Sequence, residues 1–231
     1  MRVLALIPAR EGSKGIPFKN GQVLGDKTLL EHAMYCAKNA QQVTAVAVST
    51  DSAAWALAAQ KHGCLAIPRP DTLASDTSNV VETVRHALET LPESYDILVL
   101  VQPTAPLRTA TDLDQIIAQL AADIQCDGMV SVVPFDDLHP ARMYRLDDQG
   151  NMQSLEPAHE MNRRQDLEPV YYRNGCFYAV RVSAFLKEQT LMPKNKKAYV
   201  MNAAWCANID TPRDLKMAEL LYADWVKTVK P

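Results

Sequence analysis

The segment of the chain most suggestive of chemistry is a basic, glycine-containing loop near the amino terminus. Its cations are Arg10, Lys14, Lys19 and, farther along, Lys27. Its helix-breaking residues are Gly12, Gly15 and Pro17. Backbone N–H groups in such a loop can surround an anion, while guanidinium and ammonium groups neutralise phosphate oxygens. The loop therefore predicts a triphosphate site, which would lie along Arg10, Ser13, Lys14 and Lys19.

Two common phosphate-binding motifs do not occur in this loop. A Walker loop requires the spacing Gly-x-x-x-x-Gly-Lys-Ser/Thr, and a dinucleotide fingerprint requires Gly-x-Gly-x-x-Gly; neither is present. The spacing therefore disfavours a kinase-type site and a dinucleotide site. A basic loop by itself is more often a solvated turn, so the loop alone leaves both interpretations open.

The elements around this loop predict how it is positioned. An aliphatic run at residues 3–7 is typical of a strand buried on both faces, and Pro8 cannot donate to a sheet ladder. Further strands are expected at residues 45–49, 64–67, 95–101, 128–133, 175–181, 198–200 and 203–209. Helices are expected at residues 28–40, 53–62, 80–88, 112–122 and 183–188 and after Thr211. This alternation predicts a three-layer αβα fold with a mostly parallel sheet.

Residues 135–170 depart from this alternation. Short alternating segments at residues 142–146 and 152–155, joined by the turn at 147–150, predict a β-hairpin. We therefore expect a single domain over residues 1–231, with 135–170 as a small insertion.

Composition narrows the class of protein. The chain has 231 residues and a net charge of −3, so no overall basic field favours nucleic acid. Its apolar runs are too short to cross a bilayer, and we expect a cytoplasmic protein. The five cysteines are widely spaced and are expected to be buried thiols. His159-Glu160 lacks a second histidine, which disfavours a zinc hydrolase.

Polar residues follow several of the predicted strands. The carboxyl ends of parallel strands meet at one edge of a sheet, so Asp51, residues 102–108 and Asp210 should converge near the basic loop. Arg69 would add charge from the next loop. Magnesium prefers carboxylate oxygens, which makes Asp210 the best candidate ligand, although it is equally explained as an acid near a helix amino terminus. Asp76 has a comparable alternative as a helix cap.

The sequence PAREGSKGIPFKN at residues 8–20 resembles the opening motif of the sugar-acid cytidylyltransferases, which make CMP-activated acylneuraminates and related nonulosonates. Further segments match motifs of that family in the same order: residues 49–51, 69–70, 102–108, 163–166, 174–178 and 209–212. Together they span most of the chain. The resemblance implies a Rossmann-like nucleotidyltransferase sheet whose hairpin insertion mediates a homodimer.

The resemblance also implies roles for particular residues. CTP would be held by Ala9, Arg10, Ser13, Lys14, Lys19, Asn20, Arg69, Asp76 and Ser78. The sugar acid would be held by Gln102, Arg164, Asn174 and Tyr178, with Arg164 reaching the active site of the other subunit. Catalysis would depend on Asp210, Arg10 and Lys19. Mg²⁺ would bind Asp210 and Asn208; the family often has a second aspartate at the latter position, so the site loses one negative charge.

These observations predict a magnesium-dependent transferase. The anomeric hydroxyl of a nine-carbon sugar acid would attack the α-phosphorus of CTP, giving the CMP-sugar and pyrophosphate. Two alternatives remain: a 3-deoxy-octulosonate cytidylyltransferase, which shares the nucleotide loop, and a catalytically silent nucleotide-binding protein.

Overall fold

The computed structural model describes residues 1–75, 78–135 and 138–229. Its strands are β1 (Val3–Pro8), β2 (Val23–Leu24), β3 (Lys27–Thr28), β4 (Ala45–Thr50), β5 (Leu65–Pro68), β6 (Ile97–Val101), β7 (Gly128–Pro134), β8 (Tyr144–Leu146), β9 (Met152–Ser154), β10 (Tyr171–Arg181) and β11 (Lys196–Val200). Its α-helices are α1 (Leu29–Asn39), α2 (Ala53–Lys61), α3 (Val80–Thr90), α4 (Ala110–Ala122), α5 (Val182–Glu188) and α6 (Pro212–Val229).

The central sheet has seven strands in the order β11–β7–β10–β6–β1–β4–β5. Strand β1 pairs in parallel with β4 and β6, and β5 and β11 are parallel to their neighbours. Strand β10 runs antiparallel to both β6 and β7. The predicted, mostly parallel sheet is thus confirmed. The reversal of β10 places its amino end at the edge where the other strands have their carboxyl ends.

Helices cover both faces of this sheet. Along β1, Val3, Ala5 and Ile7 pack toward α1 and α4, whereas Leu4 and Leu6 pack toward α3 and α5; all five are fully buried. An aliphatic run buried on both faces is typical of an interior strand of an α/β sheet. The predicted three-layer αβα fold is therefore confirmed, and the loop after β1 emerges from the middle of the core.

Threonine caps begin three of the helices. Thr28 caps α1 and Thr109 caps α4, each in a capping box, and Thr211 accepts from the Asp214 N–H at the start of α6. Helix α3 is capped by Asn79, which accepts from the Val81 N–H. The predicted capping residue Asp76 lies outside the described residues.

The strand predicted at residues 203–209 is wrong. Residues Ala203–Trp205 form a 3₁₀ turn, and Ile209 makes one backbone hydrogen bond, from its N–H to the Thr104 carbonyl at 2.8 Å. Trp205, Ala207 and Ile209 all belong to a third apolar cluster beneath α6. Their alternation resembles that of a strand because every second side chain faces this helix.

The insertion contains the predicted hairpin. Strands β8 and β9 pair antiparallel, with Leu146 opposite Met152. The turn is closed by Asp147, whose carboxylate accepts from the backbone N–H groups of Gln149 and Asn151. In the part of the chain that the structure describes, no helix combines the length and apolar character needed to cross a bilayer.

The Thr28 cap should contribute measurably to stability. Replacing Thr28 with Ala removes the acceptor for the Glu31 N–H and should lower the free energy of unfolding by about 1 kcal/mol. Urea denaturation measures the loss. Thr28→Ser keeps the hydroxyl and should retain most of the stability; equal losses in both variants would show that the cap is not responsible.

Candidate active site

Hydrogen bonds to backbone carbonyls fix the basic loop where it leaves β1. The buried Ala9 donates its N–H to the Ser49 carbonyl at 2.9 Å. Asn20, only 8% exposed, donates its side-chain N–H to the Arg10 carbonyl at 2.8 Å. Phe18, before a 3₁₀ turn at Lys19–Gly21, has a positive φ of 50°. The loop therefore turns back on itself, with Arg10 and Lys19 brought to one side.

That side of the loop is a wall of an open cleft at the carboxyl edge of the sheet. Predicted residues that line the cleft are Arg10, Ser13, Lys19, Asn20, Arg69, Ser78 and Gln102. They come from four different segments of the chain. The structure thus brings together residues that the sequence separates by up to about ninety positions.

Asp210 and Asn208 are not among the residues that line this cleft, but Asp210 contacts the basic loop directly. The Lys19 ammonium lies 2.8 Å from one carboxylate oxygen of Asp210, and the Asn208 amide donates to the other oxygen at 2.9 Å. A Cβ atom on Gly15 would lie 2.0 Å from the Asp210 carbonyl oxygen. Only a glycine allows this close backbone approach, so Gly15 fixes the position of the loop relative to Asp210.

Arg69 is a buried cation in the same cleft. Its guanidinium donates to the Ser49 hydroxyl at 3.1 Å and to the Ser49 carbonyl at 2.6 Å. Burial lowers the pKa of Arg69 to about 10, Asp51 opposes this, and Arg10 adds to it. The side chain therefore still carries its charge at neutral pH, held in place by the end of β4.

Gly175 lies between Gln102, which lines the cleft, and Asn208, which contacts Asp210. This glycine has a positive φ of 77°, and a Cβ atom there would lie 3.2 Å from the Gln102 side-chain oxygen and 3.5 Å from the Asn208 side-chain oxygen. The reversed strand β10 carries Gly175 to this edge. Gln102 and Asn208 therefore flank one glycine.

Several predicted residues do not line this cleft. Asn174 is buried; its Oδ1 accepts from the Ser131 hydroxyl at 2.6 Å, and its Nδ2 donates to the Met201 sulfur at 3.2 Å. Tyr178 is half-buried against the α3 and α5 layer, where burial raises its pKa. Arg164 lines a separate pocket in the insertion, together with His139. Their substrate contacts stay predictions.

Two other predicted nucleotide contacts also lie off the cleft wall. Ala9 is buried behind the loop, and Lys14 is exposed on it. Asp76 lies outside the described residues. Sequence reasoning missed the lining residues Leu73, Ser75, Val80 and Thr83, whereas Thr104 lies in the predicted segment 102–108. The hydroxyl-rich stretch before α3 was the only signal for the missed residues, and it is equally typical of an ordinary helix start.

Comparison with known proteins decides the family. The family model described as "Cytidylyltransferase" matches residues 4–224. The chain belongs to this cytidylyltransferase family. It is 31% identical to the CMP-N,N'-diacetyllegionaminic acid synthase of Legionella pneumophila over 96% of each chain. It is 29% identical to the pseudaminic acid cytidylyltransferase of Campylobacter jejuni over 96% of this chain and 97% of that one.

Other similar proteins agree with this family. The N-acylneuraminate cytidylyltransferase of Escherichia coli is 29% identical over 94% of this chain and 51% of its own length. Among solved structures, a CMP:2-keto-3-deoxy-manno-octonic acid synthetase complexed with CTP matches with a TM-score of 0.74 at 17% identity, over 97% of this chain and 99% of that one. At that identity the likeness shows the fold alone.

The oxygen donors of this cytidylyltransferase suit a hard cation. Asp210 is 60% exposed at its side chain and offers carboxylate oxygens, which Mg²⁺ prefers. Among the residues described, no group of three or more His, Cys, Asp or Glu side chains is placed to hold a metal ion. Mg²⁺ commonly takes one or two protein carboxylates and completes its shell with water and substrate phosphate, so Asp210 fits such a role. Asn208 presents its N–H to Asp210, and its oxygen would reach the same ion only after the amide turned.

The two glycines of the basic loop provide a matched test. Gly15→Ala forces the loop away from the Asp210 backbone and should lower the rate of CMP-sugar formation by about 10- to 100-fold. Gly12→Ala meets no protein atom within 4 Å, so it should leave the contact between the loop and Asp210 intact and lower the rate less than Gly15→Ala does. Steady-state assays of both variants measure this difference. Equal activity in the two would show that the contact between the loop and Asp210 is not needed.

Proposed function

We propose that this cytidylyltransferase joins CTP to a nonulosonic, sialic-acid-like sugar acid, giving the CMP-sugar and pyrophosphate. The observation that carries the proposal is the contact between Lys19 and Asp210 at a cleft lined by Arg10 and Arg69. Relatives at 29–31% identity over nearly the whole chain, named for legionaminic and pseudaminic acids, support the sugar class.

In this proposal the basic loop holds the triphosphate. Arg10, Ser13 and Lys19 line the cleft together with Arg69. These groups are fixed before substrate binds, because Asn20 and the Ser49 carbonyl hold the loop at both ends. Preorganised positive charge of this kind stabilises the negative charge that develops on departing pyrophosphate.

The sugar acid would approach from the side of Gln102. The Gln102 side chain lines the cleft, and Gly175 lies between it and the Asn208 side chain. The anomeric hydroxyl would lie near Asp210 and in line with the α-phosphorus. Asn174 would act by holding β10 in place, and Tyr178 would approach the sugar from the same strand. Arg164 would pair with the sugar carboxylate from a second subunit.

Mg²⁺ is the proposed cofactor, with Asp210 as its protein ligand and the Asn208 oxygen as a second donor. When bound, Mg²⁺ offsets phosphate charge and lowers the pKa of a coordinated hydroxyl. Lys19 lines the cleft and donates to Asp210, so its ammonium can contact both a phosphate in the cleft and the Asp210 carboxylate. The protein thus holds Asp210 ready between two donors.

The direct experiment measures pyrophosphate release from CTP with a panel of sugar acids. Acylneuraminate, legionaminate and pseudaminate form one arm, and 3-deoxy-octulosonate forms the other. We expect turnover in the first arm. Turnover confined to octulosonate would identify the alternative enzyme, whereas calorimetric CTP binding without any turnover would identify a silent nucleotide-binding protein.

Asp210 should be needed for turnover but not for folding. Asp210→Asn should lower the rate at least about 100-fold, because it weakens the proposed metal ligand. An exposed ion pair contributes only about 0–1 kcal/mol, so the free energy of unfolding should change little. Asp224→Asn, an exposed acid paired with Lys227 on α6, is the matched control and should keep full activity. Retained activity in Asp210→Asn would exclude the proposed role.

We also propose a homodimer formed through residues 135–170. The insertion and the start of β10 expose many large apolar side chains: Leu138, Tyr144, Leu146, Met152, Leu155, Met161, Tyr171 and Tyr172. A contiguous exposed apolar surface often marks an interaction site, and a dimer interface would bury such side chains.

We also propose a cytoplasmic location. It is supported by the five free thiols, since cytosolic proteins rarely carry disulfides.

The proposed interface predicts the molecular mass of the protein in solution. Leu146 and Met152 face each other on the hairpin, and replacing both with Glu should convert the dimer to a monomer. Light scattering after gel filtration measures the mass. Leu57→Glu changes an exposed leucine on α2 and should leave the dimer intact. A monomeric unmodified protein, or a dimeric double variant, would contradict the proposed interface.

A further inference from the structure

Arg108 is a buried cation, and only one of its three nitrogens donates to a backbone carbonyl. It ends the loop after β6 and is only 3% exposed. Its Nη1 donates to the Gln102 carbonyl at 2.6 Å and to the Cys176 carbonyl at 3.1 Å. Its Nε and Nη2 are buried and have no oxygen or nitrogen acceptor among the described residues; the Cys36 sulfur, a weak acceptor, is within hydrogen-bonding reach of the guanidinium. Leaving donors of a charged group unpaired in the interior is costly, so these two atoms call for an acceptor.

A cavity lies beside Arg108, between α1, α6 and the start of α4. Its lining includes His32, Cys36, Arg108, Ala110, Tyr222 and Trp225. None of its lining residues belongs to the cleft that contains Arg10 and Lys19. Lys27 also lines it, 5.2 Å from the centre of the Tyr35 ring.

The residues that line this cavity include two cations and no acidic side chain. Burial lowers the pKa of His32, so its ring is neutral at physiological pH. Burial raises the pKa of the Cys36 thiol to about 11, although the Arg108 charge opposes this, so the thiol is also neutral. No Asp or Glu is among the lining residues. Lys27 is paired with Asp26 at 2.6 Å, so the positive charge that remains for a ligand is that of Arg108.

We propose that this cavity is a second ligand site, which binds a small planar organic carboxylate with an apolar ring. Nε and Nη2 are adjacent donors on one edge of the guanidinium, and such an edge matches the two oxygens of a carboxylate. The Tyr222 and Trp225 rings, 5.9 Å apart, and the His32 ring supply an apolar wall for the body of the ligand.

Ligand access requires some side chains to move, because Nε and Nη2 are closed off from solvent. Tyr35 and Asn39 are exposed lining residues and Lys27 is partly exposed, so Tyr35 and Lys27 can rotate away without disturbing the core. The site is also linked to the nucleotide cleft. Nη1 of Arg108 holds the carbonyl of Gln102, whose side chain lines that cleft.

Calorimetry with benzoate and benzamide tests the proposal on the full chain. The two probes have the same shape, but only benzoate carries a charge. We expect benzoate to bind at least about tenfold more tightly, because hydrogen bonds to a charged acceptor are stronger. Saturating CTP should leave the affinity for benzoate nearly unchanged. Equal affinities of the two probes, or displacement of benzoate by CTP, would overturn the proposal.

A variant that fills the cavity locates the site. Ala110→Leu adds bulk at the start of α4 and leaves Arg108 in place, so it should weaken benzoate binding at least about tenfold while CTP turnover is retained. Ala110→Ser keeps the volume and should bind benzoate normally. If Ala110→Leu binds benzoate as before, or if a crystal structure at saturating benzoate shows only water on Nε and Nη2, the proposal fails.

Discussion

The ion pair between Lys19 and Asp210 connects residues 191 positions apart, and the proposed chemistry depends on it. It exists because Gly15 lets the basic loop lie directly against the Asp210 backbone. Lys19 comes from the loop after the buried strand β1, and Asp210 from the segment before the last helix. A shift of either backbone by about an ångström would separate the cations from the acid, which is enough to impair catalysis.

The reversed strand β10 supplies the other half of the cleft. An all-parallel sheet would place the amino end of β10 at the far edge, away from the carboxyl ends. Because β10 runs against β6 and β7, Asn174 and Gly175 reach the same edge as Gln102. The buried hydrogen bonds of Asn174 to Ser131 and Cys176 stabilise the irregular pairing there. The side of the cleft proposed for the sugar therefore depends on a buried polar network.

Arg108 shows how the interior supports the cleft. Its guanidinium donates hydrogen bonds to two carbonyl groups, that of Gln102 after β6 and that of Cys176 in β10. The Phe177 ring, 5.5 Å from the guanidinium carbon, offsets part of the cost of burying the charge. The same residue thus joins the nucleotide cleft to the cavity beneath α6.

The sequence by itself determined the features that depend on near neighbours. The buried aliphatic run of β1, the start of the last helix after Thr211 and the hairpin turn at Asp147 are local patterns, and each has the predicted form. Tertiary structure decided what depends on distant contacts. It turned the alternation of Trp205, Ala207 and Ile209 toward α6, buried Asn174 and pointed the Asn208 amide at Asp210. Local periodicity shows that a side chain is buried, but only packing between distant segments selects the partner against which it is buried.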